Sequence, residues 1–383
     1  MAPAAFVDAL KQLASVGRLV AAGTLLAAVL LLLCAVLLLI NGNAGDHAVA
    51  AVSLSNAVFS MAYIFDTGEH FVSVQRFTPS PSARSLSDMR TEYPAESGPK
   101  SLVPRRRADA AAVYWNEQIY LIGGHHNHSN AHYSNALTEV YVYSLRTKRW
   151  LPGASLQVAR HDHTATLVNG TIVVCGCRHS SCQRSCETFD VRNSTAKWRL
   201  LTDDEAPHCA KWSAATALGY HLFLIGSYCP TRESEVHTLN VATGLWSSVG
   251  PLKRARCGAA AATLGAFVYV CGGMDPLSKA MRSCERYDPK TNKWTLIGSM
   301  RERRSFLELV AVKGRLYAIG GHNGLMDLGS IEEYSPSEDN WRTLHVQLLR
   351  PTKVHAAVAV PRATLIRDQQ LMDTRECTAL SAG

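Results

Sequence analysis

Short apolar runs that end in two small residues recur along the middle of the chain. A second apolar run precedes each copy, and polar or glycine-containing turns separate the two runs. Runs of four to six residues with this punctuation are typical of β-strands. The pattern therefore predicts an all-β domain built from repeated hairpins. The five copies are IYLIGG (119–124), IVVCGC (172–177), LFLIGS (222–227), VYVCGG (268–273) and LYAIGG (316–321).

Tryptophan marks the end of each repeat. A tyrosine, leucine or phenylalanine precedes each tryptophan by seven positions, or by nine in one copy. Four strands in about 48 residues are typical of one blade of a β-propeller, so we expect the tryptophans to be buried between blades. Intervals of 48, 48, 48 and 47 residues separate Trp150, Trp198, Trp246, Trp294 and Trp341.

Two segments carry a resemblance to a known family. The phrases ERYDPKTNKWTLIGSM (285–300) and RLYAIGGHNG (315–324) look like kelch repeats. Residues 103–360 as a whole resemble the kelch domain of BTB–BACK–kelch proteins, the substrate adaptors of cullin-type ubiquitin ligases. The resemblance implies a kelch-type β-propeller that recognises another protein. No BTB or BACK domain precedes the repeats in this sequence, so we do not expect it to act as a self-sufficient adaptor.

The repeats predict six blades of four antiparallel strands. Five kelch repeats occupy residues 105–347, and residues 47–84 hold a degenerate first repeat with Arg84 in place of tryptophan. Residues 348–360 repeat a first strand, which we expect to close the ring. The start of the degenerate repeat competes for the same place, and the sequence leaves this choice open. The remaining predicted segments are a short N-terminal segment (1–18), a flexible insertion (85–104) and a disordered tail (361–383).

An apolar segment near the N-terminus changes this picture. Residues 19–40 contain no charged side chain and are long enough to cross a bilayer, so we predict a transmembrane helix and a single-pass membrane protein. A cleaved signal peptide and a faulty or truncated gene model are the alternatives.

The side of the membrane on which the propeller lies is left open. Lys11 and Arg18 precede the apolar segment, so the positive-inside rule favours a lumenal or extracellular propeller. Sequons at Asn127, Asn169 and Asn193 would permit glycosylation there. Family resemblance implies the cytosol instead.

Basic residues recur at the predicted start of each innermost strand. An arginine stands sixteen positions before the glycine that begins each pair of small residues in four of the five copies. In the remaining copy that position is Ala210, and Lys211 follows it. Guanidinium groups bind carboxylates in pairs of hydrogen bonds, and the net charge of +8, with histidine neutral, favours an acidic partner. The alternative is that these side chains bond the backbone of a neighbouring blade. The predicted partner-binding residues are Arg107, Arg160, Lys211, Arg256, Arg304 and Arg350, with Arg254, Arg301, Arg303 and Lys353 nearby.

Cysteine and histidine clusters give no clear metal signature. Cys175 and Cys271 occupy matching positions, as do Cys186 and Cys284, which favours small buried packing sites over disulfides or redox-responsive thiols. The group between residues 175 and 186 lacks the spacing of a zinc site. The histidine-rich loop at 124–137 is interpreted as solvated. We therefore predict no metal and no cofactor.

Motifs for catalysis are missing from the sequence. It contains no phosphate-binding glycine loop, no G-x-S-x-G and no H-E-x-x-H. Aromatic residues do not alternate with the basic ones, which argues against nucleic acid. The sequence thus predicts a non-enzymatic, membrane-tethered propeller that binds a protein, with an acidic segment as the expected ligand and no small-molecule substrate. A lumenal kelch-type enzyme is the weakest alternative.

Overall fold

The computed structural model describes an all-β propeller. For the first three strands and the ends of the last strand it describes the backbone alone. Among the described residues, no helix has the length and apolar character to cross a membrane, and the predicted helix at 19–40 lies outside them, as does the tail beyond residue 361. The described residues are 59–67, 72–78, 88–92, 107, 109–126, 136–147, 149–177, 185–193, 195–201, 210–228, 234–348, 351 and 356–361.

Five blades each consist of four consecutive antiparallel strands, in the order expected from the repeats. We number them I to V. Blade I contains β4 (Ala111–Trp115), β5 (Gln118–Ile122), β6 (Val140–Ser144) and β7 (Arg149–Pro152). Blade II contains β8 (Thr164–Val168), β9 (Thr171–Cys175), β10 (Cys186–Asp190) and β11 (Arg199–Leu201). Blade III contains β12 (Ala214–Leu218), β13 (His221–Ile225), β14 (Val236–Asn240) and β15 (Trp246–Ser248). Blade IV contains β16 (Ala260–Leu264), β17 (Phe267–Cys271), β18 (Cys284–Asp288) and β19 (Lys293–Ile297). Blade V contains β20 (Glu308–Val312), β21 (Arg315–Ile319), β22 (Ser330–Ser335) and β23 (Asn340–Gln347).

Six blades were predicted, but only five of those described are built from four consecutive strands. A further four-stranded sheet combines strands that are distant in sequence. This closing sheet joins strands from both ends of the described chain, in the order β24 (Ala356–Pro361), β1 (Phe59–Thr67), β2 (Val72–Thr78) and β3 (Asp88–Glu92). Strand β24 pairs with β1 and contacts the innermost strands of blades V and I. The innermost strands thereby form a closed ring.

One predicted boundary is wrong at this sheet. Residues 85–104 were expected to form a flexible insertion, yet Asp88–Glu92 is the strand β3. It pairs with β2, so that Phe77 lies opposite Met89. Without β3, the backbone groups at this edge of β2 would be unpaired, which is unfavourable for a sheet edge.

Aromatic pairs fill the spaces between blades. Trp294 and Trp341 are buried and lie directly opposite Tyr287 and Tyr334 on the neighbouring strand. Their ring centroids are 5.2 and 5.1 Å apart, within the range of favourable aromatic contacts. The indole Nε1 of Trp341 donates to the carbonyl of Gly298 on the preceding blade. The predicted role of the repeated tryptophan is confirmed.

The propeller has two different ends. At one end, which we call the turn face, connections of two to eight residues join the first strand to the second and the third to the fourth in each blade. At the other end, which we call the loop face, long loops follow the second strand and other connections lead to the next blade. The repeated arginines precede the first strand of each blade, and the small-residue pairs follow the second strand. Because these two strands are antiparallel, the start of the first lies beside the end of the second, so both features belong to the loop face.

Candidate functional site at the mouth of the channel

Four of the predicted partner-binding residues are buried inside the blades. Arg107, Arg160, Arg256 and Arg304 are at most 2% exposed. In Arg256, Nη1 donates to the carbonyls of Gly272 and Ser283, at 2.8 and 2.9 Å. The prediction that these residues form an accessible binding ring is therefore wrong. Burial lowers the pKa of Arg256, and the carboxylate of Glu285 opposes that shift.

In three blades a buried glutamate on the third strand pairs with the arginine and so allows its charge to be buried. Glu285 Oε1 lies 2.8 Å from Arg256 Nη2, and both side chains are inaccessible. The same carboxylate accepts hydrogen bonds from the backbone N–H groups of Lys253 and Arg254 in the connection from blade III. A charge can be buried when it is paired and hydrogen-bonded in this way. Glu187 with Arg160, and Glu332 with Arg304, repeat the arrangement.

The two remaining repeats deviate in a consistent manner. Blade III has Ala210 in place of arginine and His237 in place of the glutamate, so both partners are absent together. In blade I the glutamate position holds Tyr141, whose ring centroid is 4.9 Å from the guanidinium carbon of Arg107. There Arg107 pairs with Glu139 instead, and that carboxylate is 47% exposed. The arginine and glutamate thus form a structural unit.

The other two predicted binding residues, Lys211 and Arg350, are not among these buried arginines. Lys211 is partly exposed, and its Nζ lies 4.5 Å from the ring centroids of both Trp212 and Tyr228. Such cation–π contacts leave the ammonium at the surface beside an aromatic face. Arg350 lies outside the described residues, as does Lys353. Lys211 therefore remains a candidate for partner binding.

A ring of backbone in an unusual conformation surrounds the mouth of the channel on the loop face. The second residue after each arginine position has φ between 52° and 58° in all five blades. Gly258 N–H donates to the carbonyl of Trp212, and Phe306 N–H donates to that of Gly258. Left-handed backbone is unfavourable for bulky residues and is often retained at functional sites. We call these five residues the mouth ring: Asp109, Asp162, Trp212, Gly258 and Phe306.

One side of the mouth ring is aromatic. Trp212 and Phe306 have ring centroids 5.2 Å apart in an edge-to-face arrangement, and Tyr228 lies 4.8 Å from Trp212. Gly258 stands between them, and a Cβ there would approach the ring of Phe306 to 3.0 Å. Glycine at this position therefore lets the aromatic side chain lie across it. We call Lys211, Trp212, Tyr228 and Phe306 the aromatic cluster.

The other side of the mouth ring is polar. Asp109 and Asp162 lie there with His125 and His161. His163 is close by, and its burial, together with the charge of Arg160, lowers its pKa to about 3. His163 is thus neutral at physiological pH. The loop that contains His125 was expected to be solvated, but the ring of His125 lies 5.0 Å from that of His161, which precedes the first strand of blade II.

Large apolar side chains are exposed on the loops around the aromatic cluster. Leu325 and Met326 in the long loop of blade V are 89% and 62% exposed, and Leu277 in blade IV is 75% exposed. Single exposed apolar residues are common, but a group at one end of a protein is characteristic of interaction surfaces. We call Leu277, Leu325 and Met326 the apolar loop tips. These residues were not among the predicted binding residues, because they lie in loops outside the repeated strand pattern.

Exposed basic residues also belong to the loop face. Arg254 and Arg303 are exposed on the connections that lead into blades IV and V. Arg303 Nη1 donates to the carbonyl of Ala280, 3.3 Å away, at the base of the loop that carries Leu277. These residues neighbour the buried arginines in sequence. The cationic part of the predicted site is therefore carried by Lys211, Arg254 and Arg303, whereas the recurring arginines support the fold.

The repeated cysteines form disulfides. Cys175 lies opposite Cys186, and Cys271 opposite Cys284, on paired neighbouring strands. Each pair is joined by a disulfide bond. The interpretation as simple packing positions is wrong, since identical placement in two blades reflects a cross-strand pair. Cys177 is disulfide-bonded as well.

Comparison with known proteins agrees with the fold. A family model described as the KLHDC2/KLHL20/DRC7 Kelch-repeats domain matches residues 86–273, and the Kelch motif matches residues 255–301 and 303–344. The chain is a kelch-repeat protein. Neither matched model is that of a BTB or BACK domain.

Several Kelch-like proteins are similar to this kelch-repeat chain. Kelch-like protein 25 of Xenopus tropicalis is 26% identical over 64% of the chain and 42% of its own length. Kelch-like protein 15 of Homo sapiens is 25% identical over 62% of the chain and 42% of its own length. Kelch-like protein 26 of Mus musculus is 40% identical over 26% of the chain and 17% of its own length. The chain matches less than half the length of these relatives.

Proposed function

We propose that this kelch propeller is a non-enzymatic protein-binding module. Its binding surface is the loop face of blades III to V, comprising the aromatic cluster, the apolar loop tips, Arg254 and Arg303. The ligand is a peptide segment that combines acidic and apolar side chains. The observation that carries the proposal is the aromatic cluster, in which two bulky residues hold a left-handed backbone at the channel mouth.

The chemistry of this surface supports such a ligand. Trp, Tyr and Arg are the residues most often found at the energetic centre of protein interfaces. The apolar loop tips would cover apolar side chains of the ligand, which removes their surface from water. Lys211, Arg254 and Arg303 would attract its carboxylates and increase the rate of association.

The cellular setting is a second part of the proposal. We infer that residues 19–40 tether the propeller to a membrane, with the propeller on the lumenal or extracellular side. The buried disulfides favour an oxidising compartment. Asn169 and Asn193, which begin two of the sequons, are exposed on the turn face. Carbonate extraction and glycosidase treatment of the full-length chain test this: recovery in the soluble fraction would contradict the tether.

A diverged or partial ubiquitin-ligase adaptor is the alternative function. The similarity to Kelch-like proteins favours it. Such a role would use the same loop face for substrate but place the propeller in the cytosol. Protease protection in intact membrane vesicles distinguishes the two proposals, because only a lumenal propeller would survive.

Peptide selection with the purified full-length chain tests the binding proposal. We expect a random peptide library to yield ligands enriched in Asp or Glu together with apolar residues. Leu325→Ser should weaken these ligands by about 5-fold or more, since loss of an apolar contact at an interface that costs about 1 kcal/mol corresponds to that factor.

The turn face supplies a matched control. Leu245 is 63% exposed there, so Leu245→Ser changes a similar surface residue at the opposite end. This variant should bind the selected peptides as the wild type does. Ligands that depend on Leu245 and tolerate Leu325→Ser would place the binding surface on the turn face and refute the proposal.

A further inference from the structure

We propose that the polar side of the mouth ring binds a divalent transition-metal ion of the zinc class through Asp109, His125 and His161. Asp109 precedes the first strand of blade I, and His125 follows the second strand of that blade. His161 precedes the first strand of blade II. The ion would therefore join two neighbouring blades at the channel mouth.

The distances among these side chains suit a metal site. One ligand atom from each of the three residues lies within 4.8 Å of the others. His125 Nδ1 is 3.4 Å from Asp109 Oδ2. Ligand atoms in a tetrahedral zinc site are separated by about 3.4 Å, because each bond is about 2.0–2.1 Å long. His125 and Asp109 are about a quarter exposed, so rotation of their side chains can shorten the longest separation.

His161 is an independent reason to expect a ligand. It is only 3% exposed, and its Nδ1 forms no hydrogen bond within the described part of the chain. That atom lies 3.3 Å from Asp162 Oδ2. The two atoms form no hydrogen bond, so His161 Nδ1 is available as a ligand atom. The nearby carboxylate adds negative charge, which favours a cation at this position.

The backbone holds these residues in place before any ion binds. Gly124 N–H donates to the carbonyl of Arg160, and Arg160 N–H donates to the carbonyl of Leu137. A Cβ at Gly123 would come within 2.6 Å of the Arg160 carbonyl and 2.9 Å of the His163 ring. The glycine thus permits the loop of blade I to approach blade II, which brings His125 near His161.

The ligand types indicate which ions fit. Two imidazoles and one carboxylate match the preferences of Zn²⁺, whereas Ca²⁺ and Mg²⁺ prefer sites made of oxygen atoms alone. Three protein ligands leave one coordination position for water or for an exogenous group. The site is separate from the proposed peptide-binding surface, so either proposal can fail without the other.

Zinc binding by the full-length chain is the test. The chain is dialysed with ZnCl₂ under non-reducing conditions, and its affinity is measured by competition with a chromophoric chelator. We expect one ion per chain and a zinc-dependent rise in melting temperature. His125→Ala should weaken the affinity by more than about 100-fold, since even loss of an outer partner weakens metal sites by about 10–100-fold. His161→Gln should do the same, provided that this buried substitution allows folding.

His322 provides the control. It lies on the loop face of blade V, with Nδ1 2.9 Å from Asp327 Oδ1. Like His125, it lies beside an aspartate. Among the described residues, however, it has no second histidine close enough to complete a group of metal ligands. His322→Ala should leave zinc affinity unchanged. Absence of stoichiometric binding by the wild type, or equal binding by a folded His125→Ala chain, would overturn the proposal.

Discussion

At the scale of single residues, the recurring arginine shows how a repeated charge can belong to the core. Sequence spacing correctly placed these arginines at the start of each innermost strand. It could not show that Glu187, Glu285 and Glu332 lie within reach, because those residues are 27 to 29 positions away and their pairing depends on three-strand geometry. The joint loss of both partners in blade III is a signal that sequence comparison between repeats could have revealed.

Removing one of these buried arginines should destabilise the propeller strongly. Arg256→Ala leaves Glu285 buried without its charged partner, which typically costs about 3–5 kcal/mol. Arg107→Ala is the matched control and should cost less, about 1–3 kcal/mol, because Glu139 is already half exposed. Urea unfolding of the full-length variants measures both. Equal, small losses would mean that the arginines are not structural.

The pH dependence of stability should reflect Glu308. Burial raises the pKa of Glu308 to about 8, from an ordinary value of 4.5. Between these pH values the folded chain retains a proton that the unfolded chain loses, so the free energy of unfolding contributed by this group falls as pH rises. Glu308→Gln cannot ionise and should become more stable relative to the wild type across this range. A stability difference that is constant from pH 4.5 to pH 8 would contradict the assignment.

At the scale of strands and blades, the regular pattern was predictable and its exceptions were not. The repeated apolar runs and tryptophans specify four strands per blade because each strand must bury its side chains between neighbouring blades. Strand β3 was missed, since Asp88–Glu92 is polar and has no repeat signature. The cysteines were misinterpreted because packing and cross-strand pairing produce the same repeated spacing.

Trp294 should be essential to the packing between blades. Trp294→Ala removes a side chain that is 1% exposed, and such truncations cost about 3–5 kcal/mol. Trp246→Ala should cost less, because Trp246 is more exposed, at 9%, and faces Leu239 rather than an aromatic ring. Thermal melting of both variants compares them. A native melting temperature for Trp294→Ala would contradict the packing described here.

The paired cysteines should resist alkylation until they are reduced. Cys271 and Cys284 are directly opposite on β17 and β18 and are joined by a disulfide bond. Peptides that contain them should stay linked in mass spectra of the denatured, non-reduced chain. Labelling of either cysteine by iodoacetamide before reduction would show that the bond is absent.

At the scale of the whole molecule, the closing sheet and the loop face define what the propeller can do. Strand β24 pairs with β1 and contacts the innermost strands of blades V and I, so both ends of the described chain take part in closing the ring. The site was predictable only in part. The arginine positions indicated the loop face, which the proposed function uses, but the aromatic cluster and the apolar loop tips depend on loop conformation, which the strand pattern does not specify.

The central claim is that the loop face binds an acidic, apolar peptide through exposed groups that do not support the fold. The most direct test measures peptide affinity and melting temperature together for the Arg254→Glu, Arg303→Glu double variant, over a range of NaCl concentrations. We expect wild-type affinity to weaken as salt screens the charges over about 8–10 Å. The double variant should melt as the wild type does and lose the peptide. A folded double variant with unchanged affinity at every salt concentration would contradict the account.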